Sequence, residues 1–210
     1  MQIDEYLDSN FSNLKLRPPL FYNWKFGIRF ELRDPNEEDT KIYMERVYFR
    51  AITLFQELHS TNDEIIIVAN VHHAGEENIF RRRKVKIFQH YIKAKDVLRK
   101  LQHQVIPYIF EDVYDINDFE THRYALNCKV SDVKYIHLIR AICNQDMGIK
   151  PKIIHDVFFV NLSKNTIFHI YDDRGCDVLA SSKESIRFLY ERYNDWILDY
   201  DKEAIDMVFQ

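Results

Sequence analysis

Along YNWKFGIRFEL, Tyr22, Trp24, Phe26, Ile28, Phe30 and Leu32 take one side, and Asn23, Lys25, Arg29 and Glu31 the other. That alternation predicts a long strand with one solvated face. DPNEED then breaks the chain and opens a helix. Over residues 40–58, Tyr43, Val47, Ala51, Leu54, Phe55 and Leu58 recur at helical spacing. The continuous apolar run EIIIVANV reads as a strand buried on both faces. Residues 78–103 read as one long helix with Phe80, Ile87, Tyr91, Ala94, Leu98 and Leu101 on its apolar stripe. VIPYIF carries Pro107 and suits an edge strand. EDVYDINDFE reads as a linker or exposed loop.

HRYALNCKV alternates again, with Tyr124, Leu126, Cys128 and Val130 inward. Ser131 is placed to cap the helix DVKYIHLIRAICNQDM, which Gly148 and Pro151 end. DVFFVN and TIFHIYD form a hairpin through LSKN, and CDVLA adds a third strand. In SSKE, Ser181 and Glu184 have capping-box spacing. The helix they open carries Ile186, Leu189, Tyr190, Tyr193, Ile197 and Tyr200 on one side. The expected fold is α+β (mixed α/β): a sheet with long amphipathic helices and a C-terminal three-stranded meander closed by a helix. One compact domain over 1–210 is expected. Residues 111–120 mark the place for a subdivision into an N-terminal half, 1–110, and a meander–helix half, 121–210.

Composition narrows the class. Of 210 residues, 46% are hydrophobic and 30% charged, with a net charge of −4, which supplies a core and argues against disorder. No run is long and apolar enough for a membrane span, and the start MQIDEYLDSNF lacks the pattern of a signal peptide. Cys128, Cys143 and Cys176 lie among apolar neighbours without metal-ligand spacing, as buried thiols in a reducing cytoplasm would. The four glycines are nowhere closer than 27 positions apart. A phosphate-cradling loop and a glycine-flanked serine elbow are thereby excluded. HExxH and CxxC are absent. No cofactor and no metal are expected.

The conspicuous chemistry is YDDRGCD, where Asp172, Asp173, Arg174 and Asp177 crowd into six residues. One reading is a hairpin tip, with carboxylates bonding backbone N–H groups and Gly175 at positive φ. The other is a divalent-metal site for a hydrolase or nuclease. Strand phase opposes convergence, because Asp172 follows Phe168 and Ile170 while Asp173 follows His169 and Tyr171. In CNQDMG, Asn144 and Asp146 are polar groups at a helix end, and Trp196 lies in the closing helix. Between Ile79 and Gln102 stand nine Lys or Arg and one acid, a local +8 that leaves −12 elsewhere. Arg82, Lys86, Lys93 and Lys100 would share one helical face, for nucleic-acid phosphates or an acidic partner. His72 and His73 are adjacent on an extended chain and face opposite ways, so they are poorly placed to share a metal.

The words YDDRG…SSKES…YNDWILDYDKEAID, with FYNWKFGIRFEL near the N-terminus, resemble an uncharacterised bacterial family, domain of unknown function 3885. That resemblance implies a small, stand-alone intracellular bacterial protein and imports no activity. It offers Asp172, Asp173, Arg174, Gly175, Asn194, Trp196 and Asp199 as motif positions without roles. At fold level, a meander followed by an amphipathic helix is similar to small immunity proteins that neutralise toxins. The leading expectation is therefore a non-catalytic, cytoplasmic, immunity-like module with a protein partner such as a toxin. A candidate surface is Asp172, Asp173, Arg174, Asp177, Asn144, Asp146 and Trp196. The alternatives are the metal-dependent hydrolase or nuclease, then nucleic-acid binding through residues 79–102.

Overall fold

A computed structural model describes residues 2–74, 85–110 and 119–210. Its elements are α1 (Ile3–Asn10), β1 (Gly27–Glu31), α2 (Thr40–Leu58), β2 (Glu64–Ala74), α3 (Val85–Tyr91), α4 (Lys95–Leu98), β3 (Gln102–Pro107), β4 (Phe119–Lys129), α5 (Tyr135–Cys143), β5 (Asp156–Asn161), β6 (Thr166–Ile170), β7 (Gly175–Ala180), α6 (Arg187–Arg192) and α7 (Lys202–Phe209). The strands form one antiparallel sheet in the order β1-β7-β6-β5-β2-β4-β3. This is the α+β architecture with the C-terminal meander β5-β6-β7. The linker or loop expected at EDVYDINDFE lies, but for its last two residues, outside the described residues; because β2 is hydrogen-bonded to β4 and β5, strands from both sides of residues 111–118 share one sheet.

The sheet is covered on both faces at its centre, while edge strand β3 is largely exposed. Ile65 and Ile67 of β2 point into the layer made by α2, α5, α6 and α7, against Val47, Phe55, Ile139 and Ile205. Ile66 and Val68 point the other way, against Ile3, Leu7, Phe11, Leu16 and Leu20 of the N-terminal segment. The apolar run of β2 thus fits a strand buried on both faces. Helix α2 starts at Asp39, whose carboxylate accepts the Lys41 and Ile42 N–H groups at 2.8 and 3.0 Å. It buries Met44, Val47, Ala51, Leu54, Phe55 and Leu58. Gly148 has φ +69°, but α5 already ends at Cys143 with Asn144 as its cap, so the left-handed glycine serves the following turn and not the helix end expected of it.

Four sequence expectations are corrected. The strand expected over Tyr22–Leu32 is confined to Gly27–Glu31. Phe21–Asn23 form a 3-10 turn, Tyr22 is exposed, and Trp24 joins the opposite layer, its Nε1 donating to the Ala180 carbonyl at 2.7 Å. Of the helix expected over 78–103, residues 78–84 lie outside the described residues, and α3 ends at Tyr91. Ile92 pairs with Val133, the Lys93 N–H donates to Asp132 and the Lys134 N–H to Tyr91, and residues 102–107 become the edge strand β3. Burying Ile92 and Val133 and satisfying those backbone groups outweighs continued helix. Ser131 caps nothing, since α5 begins at Tyr135 after a short turn that Asp132 closes onto the Lys129 N–H. Ser181 likewise opens no long helix. The chain there is broken into a turn, α6, two further turns and α7. Its break lets Ile197 pair with Phe30 and the Leu198 N–H donate to the Arg29 carbonyl, which covers the outer edge of β1.

His59, at the end of α2, stacks on Phe55 at 4.0 Å, and its Nδ1–H donates to the Phe55 carbonyl at 2.8 Å. Its Nε2 is buried without a partner. Burial pushes this imidazole from 6.5 down to about 4. Above pH 6.5 the group is neutral in both folded and unfolded chains and its stabilising contribution is complete. As the pH falls towards 4 the unfolded chain takes up a proton that the folded one refuses, so stability falls by roughly 3 kcal/mol. In urea titrations across that window, His59→Phe should make the loss of stability visibly shallower. An unchanged slope would show that His59 is not a source of the acid sensitivity.

Candidate functional site

The hairpin between β6 and β7 carries the aspartate-rich stretch. The Tyr171 N–H donates to the Gly175 carbonyl at 3.2 Å, leaving Asp172, Asp173 and Arg174 at the tip. Asp172 accepts the Arg174 backbone N–H at 2.7 Å, an Asx turn, and also holds the Arg174 guanidinium. Asp173 turns inward and accepts the Tyr43 hydroxyl of α2. Burial, with the hydrogen bond and charge of Asp173, pushes the Tyr43 hydroxyl well above its usual pKa. At the foot of the hairpin the Leu32 N–H donates to the Arg174 carbonyl at 2.8 Å.

Gly175 is required for a reason other than the expected one. Its φ is not positive. A Cβ there would strike the Tyr171 hydroxyl and come within 2.7 Å of the Phe30 carbonyl oxygen. Close approach of β1 and of the Tyr171 side chain, rather than left-handed backbone, selects glycine.

Asp177 lies across from Arg29 in the β1–β7 register. Its Oδ1 accepts the Arg29 Nε at 2.8 Å and its Oδ2 the Phe21 N–H at 3.2 Å. Asp177 is 0% and Arg29 9% exposed, so the face of β1 expected to be solvated holds a buried ion pair. The guanidinium also meets the Tyr22 hydroxyl at 3.2 Å, lies 3.5 Å from Asp201 and packs on the Tyr22 and Tyr171 rings. Burial alone would lower the Arg29 pKa, but the bond and charge of Asp177 outweigh it and hold it above its usual range.

The expected surface residues therefore part company. Asp172, Asp173, Asp177 and Asn144 are buried, and the three aspartates serve separate partners. Among the described residues, no group of three His, Cys, Asp or Glu side chains is placed to hold one metal ion. Asn144 accepts the Tyr48 hydroxyl and donates to the Pro151 carbonyl at 2.9 Å, while Gln145 donates to the Tyr171 carbonyl, tying α5 to the hairpin. Arg174 and Asp146 remain exposed. Trp196 is half-buried beside Phe49, with the Arg50 guanidinium over its ring at 5.1 Å. His72 is shared between Asp156 and Thr121, each at 3.0 Å.

The basic face also dissolves. Arg82 lies outside the described residues, Lys86 belongs to α3, and Lys93 and Lys100 follow the ends of α3 and α4, so the four do not share one helix. Lys93 Nζ is used by the Ser131 carbonyl at 2.6 Å. The three described cysteines are free and buried, and burial pushes the Cys128 thiol up to about 12.

What the sequence did not mark is the C-terminal face. Asp201, Ile205 and Phe209 point inward, whereas Tyr200, Glu203, Ala204 and Met207 point outward. Tyr200 is 85% and Met207 77% exposed. Tyr22, 54% exposed, bonds Asp201 through its hydroxyl at 2.9 Å and so stands beside Tyr200. The uninterrupted helix expected here placed Tyr200 on the buried stripe, and the break at Ile197 turns it out. The i, i+4, i+8 spacing of Asp201, Ile205 and Phe209 was the available signal, obscured by the aspartate in an inward position.

The fold and this site define an α+β protein on one antiparallel sheet, in which conspicuous aspartates fasten the hairpin and exposed side chains gather on a C-terminal helical face. The chain belongs to the family described as Domain of unknown function (DUF3885), whose model matches residues 3–201. It is similar to the Uncharacterized protein YnaE of Bacillus subtilis (strain 168), with 36% identity over 213 residues that cover 95% of this chain and 99% of that protein. No solved structure matches the chain.

A Gly175→Ala variant should lose about 2 kcal/mol in urea unfolding, as overpacking against a fixed neighbour does. Adding Tyr171→Leu should recover only part of the loss, because the Phe30 carbonyl remains in the way. Full recovery in the double variant would show that the β1 backbone sets no limit on position 175.

Proposed function

We propose that this chain is a non-catalytic protein-binding module, immunity-like in that it docks a basic partner protein on its C-terminal face. The supporting observation is the outward stripe of Tyr200 and Met207 beside Tyr22, with Asp195, Asp199 and Glu203 exposed around it. Basic side chains of the same segment are consumed within the molecule. Lys183 donates to Val208, Arg187 to Phe209, Lys202 to Asn194, and Arg192 pairs with Glu57. Apart from Arg192, which stays exposed in its pair with Glu57, what faces outward is aromatic, thioether and carboxylate chemistry, which suits a cationic surface with apolar anchors. Among the described residues, no helix is long and apolar enough to cross a membrane.

A photo-crosslinking side chain at position 200 tests this in cells that express the full chain. A control probe at Val105 sits on β3, at the sheet edge far from β1. The expected result is a discrete adduct with a basic protein from position 200 only. Met207→Asp should reduce its yield roughly tenfold while the unfolding temperature stays within about 1 °C. Equal adducts from both positions, or none from position 200, would refute the proposed face.

A further inference from the structure

On the opposite layer, α1, the chain after it and the end of β3 line a half-open cavity of about 290 Å³. Leu7, Leu14, Leu16, Ile106 and Ile109 give it apolar walls, and its charged lining is Asp4, Asp8, Lys15 and Arg123 of β4. The Arg123 side chain is only 8% exposed. Its Nε donates to Asn70 Oδ1 at 3.2 Å and its Nη1 to Asp4 Oδ1 at 3.0 Å.

Arg123 is poorly compensated for a buried cation. Asn70 is neutral, and the Asp4 side chain is 53% exposed on the first turn of α1, so its carboxylate is still largely solvated. Burial draws the guanidinium pKa down, and the charge and hydrogen bond of Asp4 only partly oppose this. Such a cation gains when a desolvated anion takes the place of a solvated one, and a guanidinium accommodates two carboxylate oxygens through adjacent donors. Apolar walls beside it specify the rest of the ligand. The volume corresponds to about ten water molecules, hence to a body of about ten non-hydrogen atoms.

We propose that this cavity binds a small amphipathic monocarboxylate, with its carboxylate on Arg123 in place of Asp4 and its hydrocarbon part against Leu14, Leu16 and Ile106. Asp4 then acts as the internal placeholder for the ligand. This site is independent of the C-terminal face and is tested separately.

Titrations of the full chain with octanoate, 4-phenylbutyrate, 1-octanol and octylamine, followed by amide chemical-shift changes, distinguish the outcomes. Octanoate or 4-phenylbutyrate should bind at least roughly tenfold more tightly than the alcohol and the amine, since the hydrogen bonds to a charged group are lost with either. Which of the two carboxylates binds more tightly tells an aliphatic ligand from an aromatic one. Asp4→Asn, by removing the competing carboxylate, should raise carboxylate affinity, and Leu14→Trp, by filling the cavity, should abolish it. Arg123→Gln should also abolish it. If that variant does not fold, the Asp4 and Leu14 variants still decide. Equal binding of octanoate and octanol, weaker binding in Asp4→Asn, or no shift changes up to about 10 mM carboxylate would overturn the proposal.

Discussion

A cation buried near the edge of a sheet needs partners from everything around it, and Arg29 has them. Asp177 opposite it on β7 supplies the charge and binds the Phe21 N–H with its second oxygen. Tyr22 and Asp201 reach the same guanidinium from the segment before β1 and the segment before α7. One ion pair therefore joins β1, β7, the N-terminal turn and the C-terminal wrap. Such a pair need not make the fold more stable than apolar residues of equal volume would. Removing one member, however, leaves a charge stranded in a dry site, so the two residues depend on each other.

The same edge explains why helical periodicity misled at the C-terminus. An unpaired β1 would present open backbone donors and acceptors. Ile197 and Leu198 leave the helical path to pair with Phe30 and Arg29, which splits the expected helix and rotates Tyr200 and Met207 outward. At the other end of the chain's helical layer, Ile92 leaves its helix to pair with Val133. Both breaks follow from a demand made by residues distant in sequence, which no local spacing of apolar side chains encodes. Strands were more legible because β2, β4 and the β5-β6-β7 meander carry their burial pattern in their own residues. The N-terminal layer was not legible as a layer, because Leu14, Leu16 and Leu20 belong to no regular element and bury only against the second face of the sheet.

The candidate chemistry divides similarly. YDDRG could be read as a hairpin tip from aspartate and glycine chemistry, and strand phase already opposed convergence of its carboxylates. That Asp173 would bond Tyr43, and that Asn144 would bond Tyr48, depends on how α2 and α5 lie over the sheet. Arg29 was assigned to water because strand alternation reports only two faces and cannot show that a 3-10 turn covers one. Arg123 is illegible for the same reason, since it sits beneath α1 on the face of β4 opposite the one that alternation marks as core. Polar residues in inward positions were thus the consistent blind spot, and they mark both the central ion pair and the cavity.

A double-mutant cycle on Arg29→Met and Asp177→Leu, measured by urea unfolding, tests the central dependence most directly. The account predicts that each single variant loses about 3–5 kcal/mol. The double variant should lose at least about 2 kcal/mol less than the sum of the two. Single losses below about 1 kcal/mol that simply add would contradict it, and would show that β1, β7 and the two terminal segments are held together by packing alone.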